Sequence, residues 1–122
     1  MKPLISIVIL LIAFPACAAD QWSKQDIALE ITWLAVHAVD WAQTRYIADH
    51  PGTYYEQNPV FGKHPSTDKV DLMFLTGALV HIGITHFLPA DYRPYFQSGT
   101  IGLSLVCVIN NKSKGIGLNL SF

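Results

Sequence analysis

Asp26, Glu30, Trp33, His37, Asp40 and Thr44 recur along the chain at steps of three and four. On an α-helix those steps place them within about 80° of one another, as a narrow polar stripe on an otherwise apolar surface. A His37–Asp40 pair with Thr44 has the residue types of a proton relay or a ligand site. His81 and Thr85, four residues apart, share a face of a later apolar segment and can meet the stripe across a helical bundle. Two histidines and a carboxylate also match a metal set by type. No His-x-x-x-His or His-Glu-x-x-His spacing fixes such a geometry, so neither a metal nor a cofactor is expected. The alternative is architectural, with Asp40, His37 and His81 hydrogen-bonding the helices together. His86 lies about 140° from His81 on the helical wheel and belongs to a boundary rather than to the same site.

Other chemistry finds little support. Ser66 lies close to His64, but no Gly-x-Ser-x-Gly turn surrounds it, and Ser66-Thr67 reads as a helix entry. Cys17 and Cys107 belong to no Cys-x-x-Cys pair, and Cys107 reads as a small buried hydrophobe. Whether the chain is an enzyme is open at this level.

The elements that must carry these residues lie in a chain of 122 residues, enough for one domain. It is 51% apolar and 14% charged, with a net charge of −1. So little charge gives no field for nucleic acid, and it points to lipid as the solvent. Lys2, the apolar run Leu4–Phe14, Pro15 and Ala16-Cys17-Ala18-Ala19 have the order of a secretory signal peptide. Cleavage after Ala18 or Ala19 is expected, dividing the chain into residues 1–19 and a single domain, 20–122. Retention as an uncleaved membrane helix and lipidation of Cys17 are the alternatives.

Residues 23–48 read as one helix, with Ser23 as cap and Asp26 near N3. From Ile27 to Ile47 it spans ~31 Å, about one bilayer core. Residues 49–68 form a Pro/Gly-rich loop whose aromatics call for a packing partner. Val70–Leu88 is the clearest membrane helix, with Asp68 as cap and Asp71 in its first turn. Between Tyr95 and Ile109 a third helix is favoured, with Ser98 and Gly102 as a small-x-x-x-small contact and an extended tail over 115–122. The same residues also alternate, from Ile101 through Ile109 and again from Ile116 to Phe122. A β-hairpin over 100–122 is therefore the competing reading.

The fold class expected is thus an all-α membrane protein of about three helices. A barrel of the whole chain is excluded by its length and by the unalternating 70–88 segment. Arg45, Lys63, Lys69, Lys112 and Lys114 gather at one end, with Lys24 and Arg93 at the other. The positive-inside rule then puts the 49–69 loop and the C-terminus in the cytoplasm, in a multi-pass inner-membrane protein. Trp22, Tyr46, Tyr92 and Tyr95 lie near the boundaries, as an aromatic belt requires.

Asp40-Trp41-Ala42-Gln43-Thr44, followed by Glu56-Gln57-Asn58-Pro59, Gly62 and Pro65-Ser66, resembles a group of small uncharacterised integral membrane proteins of bacteria and their phages. Those carry an Asp-x-x-x-Thr helix end and a Glu-x-Asn-Pro loop. The likeness covers residues 37–70 and implies a helical membrane fold, with Asp40, Thr44, Glu56, Asn58 and Pro59 as candidates. No activity comes with it. Physically the set suits a lock, in which Glu56 accepts from backbone or from Arg45 while Asp40 and Thr44 receive the loop's polar groups.

The candidate polar site is therefore His37, Asp40, Thr44, Glu56, Asn58 and His81. Three functions compete. The first is assembly in the bilayer with itself or another membrane protein, through the stripe and the Ser98/Gly102 surface. The second is a membrane-embedded enzyme or transporter-like module. The third is a periplasmic or outer-membrane envelope protein whose C-terminal hairpin pairs with a partner sheet.

Overall fold

Ser23 opens the first helix with a complete capping box. Its hydroxyl accepts from the Asp26 amide, and the Asp26 carboxylate accepts from the Ser23 amide. The computed structural model describes residues 19–117 and builds them from three helices, α1 (Lys24–Asp49), α2 (Thr67–Phe87) and α3 (Arg93–Ser113). The expected signal peptide up to residue 18 and the tail over 118–122 lie outside the described residues.

Two boundaries differ from expectation. Ser66, not Asp68, caps α2, its hydroxyl accepting from the Lys69 amide, and Asp68 sits in the first turn where a carboxylate favours the helix dipole. The helix favoured over 95–109 is present and extends at both ends to Arg93–Ser113, and the competing hairpin finds no strand among the described residues. Its alternation arose because α3 is apolar around most of its circumference: Leu103, Leu105, Val106 and Ile109 are all exposed. The polar residues of α3 carry the helical period instead, with Arg93, Gln97 and Asn111 buried.

The Asn110–Lys114 segment, which separates the two alternating runs, ends α3. Gly115 adopts a φ of 86°. Its amide bonds the Lys112 carbonyl, while the Ile116 amide reaches back to Asn111. This is a Schellman close, and Ile116, fully buried, packs it down. Replacing Gly115 by valine forces a branched residue into the left-handed region. It is expected to destabilise the protein by ~1–2 kcal/mol, read as a lowered unfolding midpoint, whereas asparagine there should lose less.

Helix α1 packs along both other helices, which touch each other sparingly. Glu30 meets His81, His37 meets the Phe74 backbone, and Arg45 pairs with Asp71, so α1 and α2 run antiparallel. Asp26 faces Arg93 and Gln43 faces Asn111, so α1 and α3 run parallel. The 50–66 loop and the end of α3 therefore share one end of the bundle. The loop packs there as its aromatics demand: Phe61 stacks on Phe74 of α2, and Tyr54 leans on Tyr46 of α1.

Polarity is inverted relative to a water-soluble domain. Asp26, Glu30, Gln43, His81, Arg93 and Gln97 are buried, whereas Ile31, Leu75, Leu79 and Leu103 are 61–70% exposed. Among the described residues only α2 is long and apolar enough to cross a membrane on composition alone.

Candidate functional site

The polar residues fall into two groups at different depths. In the deeper one, Glu30 on α1 draws in both other helices. Its Oε1 accepts from His81 Nδ1 at 2.8 Å. Its Oε2 accepts from Gln97 Nε2 at 2.9 Å and Thr85 Oγ1 at 3.3 Å. Both carboxylate oxygens are thus used by protein donors. His81 Nε2 lies 2.8 Å from the Thr100 hydroxyl, completing a carboxylate–imidazole–hydroxyl chain. That order matches an acyl-transfer triad, but the surroundings oppose one. The imidazole is stacked against Trp33, ring centroids 3.6 Å apart, and against Phe96. The Thr100 hydroxyl is also within bonding distance of carbonyls of its own helix. The arrangement is a lock between three helices. The Gln97 carbonyl oxygen is buried without a partner among the described residues.

At the same end, Arg93 is fully buried. Its guanidinium donates to the carbonyls of Asp20, Gln21, Thr85, His86 and Leu88, and more distantly to the Asp26 carboxylate. Burial works against the Asp26 charge, but the Ser23 amide and hydroxyl and Arg93 outweigh it and hold this carboxyl below its ordinary range. His86 lies exposed at this boundary and accepts from the Trp22 indole.

The second group surrounds a cavity of about 270 Å³ at the loop end. Asp40 and Thr44 of α1, Glu56, Gln57 and Asn58 of the loop, and Asn110 and Asn111 of α3 line it, with Phe61, Phe74 and Cys107 as apolar wall. Glu56 is fixed by its own loop: Oε1 accepts from the Gln57 and Asn58 amides at 3.0 and 2.9 Å. The Asn58 side chain accepts from the Val60 amide, closing an Asx turn before Pro59 breaks the chain direction. Asn111 donates to Asp40 Oδ1 at 3.3 Å and to Gln43 Oε1 at 3.2 Å. Gln43 in turn donates to the Val108 and Ile116 carbonyls, tying the end of α3 to α1.

Four of the sequence candidates, Asp40, Thr44, Glu56 and Asn58, therefore converge on one cavity. The two histidines do not join them. His37 donates to the Phe74 carbonyl at 2.9 Å and stacks on Trp33, and its expected pairing with Asp40 gives way to those contacts. His81 belongs to the Glu30 lock. Arg45 pairs with Asp71, which also accepts from the Trp41 indole, so Glu56 uses backbone donors instead. Cys107 is exposed rather than buried. Among the described residues no group of three His, Cys, Asp or Glu is placed to hold a metal ion.

Sequence reasoning passed over Arg93, Gln97, Thr100 and Asn111. The signal was present in their helical spacing on α3, where the apolar alternation drew attention instead. Glu30 lay within the stripe but was not singled out. Compared with known protein families, curated proteins and solved structures, the chain has no match in any of the three.

Proposed function

We propose that this is a three-span protein of the inner membrane that works as a binding module, holding a small polar ligand in the cavity between the 50–66 loop and the ends of α1 and α3. The observation that carries this reading is the inverted polarity of the bundle. Residues that lipid rejects are matched to one another inside, and large apolar side chains cover the outside. In water such an exterior would leave large apolar side chains of all three helices exposed, among them Ile31, Leu75 and Leu103.

Helices α1 and α3 fall short on composition because their polar residues average into the hydropathy of each helix as a whole. Turned inward and hydrogen-bonded, those residues need not meet hydrocarbon. At 21 residues α2 and α3 each reach ~31 Å, the thickness of one bilayer core. The bundle also gathers Arg45, Lys63, Lys69, Lys112 and Lys114 toward one end, which supports a cytoplasmic loop and C-terminus.

The acidic stripe speaks less for assembly than its pattern in the sequence suggested, since Asp26 and Glu30 find their partners within the chain. Assembly keeps one specific support. Ser98 and Gly102 lie exposed on α3, and a Cβ added at Gly102 would meet nothing within 4 Å. That leaves room for a second helix to approach closely. Pairing with a partner sheet loses its hairpin.

Alkaline carbonate extraction of membranes from cells expressing the full chain tests the reading. The protein is expected in the pellet, and in the inner-membrane fraction on density separation. Release into the carbonate supernatant, or recovery in the outer membrane, would overturn it.

A further inference from the structure

We infer that the ligand of the loop-end cavity is a primary ammonium group carried on a short carbon body. This rests on the reading of that cavity as the working surface, and it adds the chemical class. The lining is charged with one sign only: Asp40 and Glu56 are there, and no Lys, Arg or His is. Of the cations at this end, Arg45 pairs with Asp71 and Lys69 donates to the Phe61 carbonyl. Asp40 and Glu56 line the same small cavity, which brings their charges together. A cation between them would relieve that repulsion, whereas an anion would add to it.

Both carboxylates are held before any ligand arrives, Glu56 by two loop amides and Asp40 by Asn111. Fixed acceptors spare a ligand the cost of ordering them. The remaining lining separates an ammonium from other cations. Phe61 and Phe74 stack at 5.7 Å and present an aromatic wall, which attracts an organic cation and its carbon body. A hard metal ion wants six or more oxygens and gains nothing from such a wall. The oxygens of Thr44 and Asn110 can accept from N–H groups around the same space, while those of Gln57 and Asn58 already accept from Asn110 Nδ2 and the Val60 amide. The cavity, about 270 Å³, admits a head of a few heavy atoms rather than a large metabolite.

The same head occurs free in solution and on amine-bearing phospholipids, and the test separates the two. The full chain is placed in nanodiscs of phosphatidylglycerol alone, and the side-chain amide signals of Asn58, Asn110 and Asn111 are followed by NMR. Ethanolammonium chloride is expected to shift them saturably. The apparent affinity should fall ~10-fold or more in Glu56→Gln, which keeps the loop's acceptor but removes the charge. Asp40→Asn should behave alike, and if it does not fold, Glu56→Gln alone decides. Nanodiscs containing phosphatidylethanolamine that give the bound spectrum without added amine would make the lipid the source. A response to the soluble amine only would make it a free molecule.

Sodium or calcium chloride matching the ammonium response, or unchanged affinity in Glu56→Gln, would overturn the ammonium assignment. If glycerol shifts these amides and ethanolammonium does not, the ammonium class fails while the cavity stands as a binding site. If neither shifts them, both readings fail.

Discussion

Replacing Glu30 with alanine is expected to unfold the bundle or to destabilise it by about 3 kcal/mol or more. The substitution removes one carboxylate that serves three interior donors: His81 Nδ1 and Thr85 Oγ1 lose their acceptor, and Gln97 Nε2 keeps only its bond to the Asp26 carbonyl. A buried polar group left without its partner bears its desolvation penalty uncompensated, about 1–3 kcal/mol each, and a low-dielectric interior sharpens that cost. Relaxation of the helices recovers part of it, so the sum stays below the full total. Glu30→Gln should fall between wild type and alanine, because the amide keeps one acceptor and places an NH2 group against existing donors. The measurement is the unfolding midpoint in mixed micelles titrated with dodecyl sulfate, followed by helical circular dichroism. Asp40→Asn belongs in the same series. Asp40 lines the open cavity and accepts from Asn111 at 3.3 Å, so its loss of charge should move stability by less than 1 kcal/mol. A Glu30→Ala variant as stable as wild type would show that the network adds nothing to folding.

The contrast between those two carboxylates also marks what the sequence could carry. Both lie on the stripe from Asp26 to Thr44, and the helical period assigns them to one face correctly. That stripe is ~27 Å long, and nothing in it says which step of α1 stands opposite His81. The answer depends on how the 50–66 loop returns the chain, which sets an antiparallel register through His37 on the Phe74 carbonyl and Arg45 on Asp71. His81 thus meets Glu30, two turns away from the expected His37–Asp40 pair. Local signals survived better because their physics is local. Ser23 with Asp26 closes a box within one turn, and Glu56-Gln57-Asn58-Pro59 folds onto its own amides. The sequence favours a helix over 95–109, yet the same residues also fit a hairpin over 100–122. An α3 apolar on most sides leaves few polar residues to display its period, and Arg93, Gln97, Thr100 and Asn111 were the ones that did.

Arg93→Met is expected to be the more disruptive change at the far end of the bundle, with a loss of about 3–5 kcal/mol. Methionine keeps much of the stem's volume, so packing is not the issue. The fully buried guanidinium serves five carbonyls and one carboxylate, drawn from residues 20–21, the end of α2 and α1. The orphaned carbonyls of Thr85, His86 and Leu88 belong to the last turn of α2 and its cap, where no further intrahelical donor exists. Asp26 keeps its bond from the Ser23 amide but loses its buried counter-charge. Lysine should rescue little, since an ammonium has three donors and no planar fork.

The Asp26 partnership also gives the end a pH signature. Its folded carboxyl titrates below the ordinary value of 3.8. The stabilisation it contributes is therefore complete above the unfolded value and is lost as pH falls through the lower folded one. Wild type should lose stability on acidification below about pH 4, and Arg93→Met should show a smaller acid-dependent loss, because the share from Arg93 is gone while the larger share from the Ser23 amide and hydroxyl remains. Limited proteolysis supplies a second reading: residues 20–22, held by Arg93 through the Asp20 and Gln21 carbonyls, should become the first cleavage site in the variant. An Arg93→Met protein with wild-type midpoint, acid profile and N-terminal protection would mean that the clamp holds nothing the helices do not already hold.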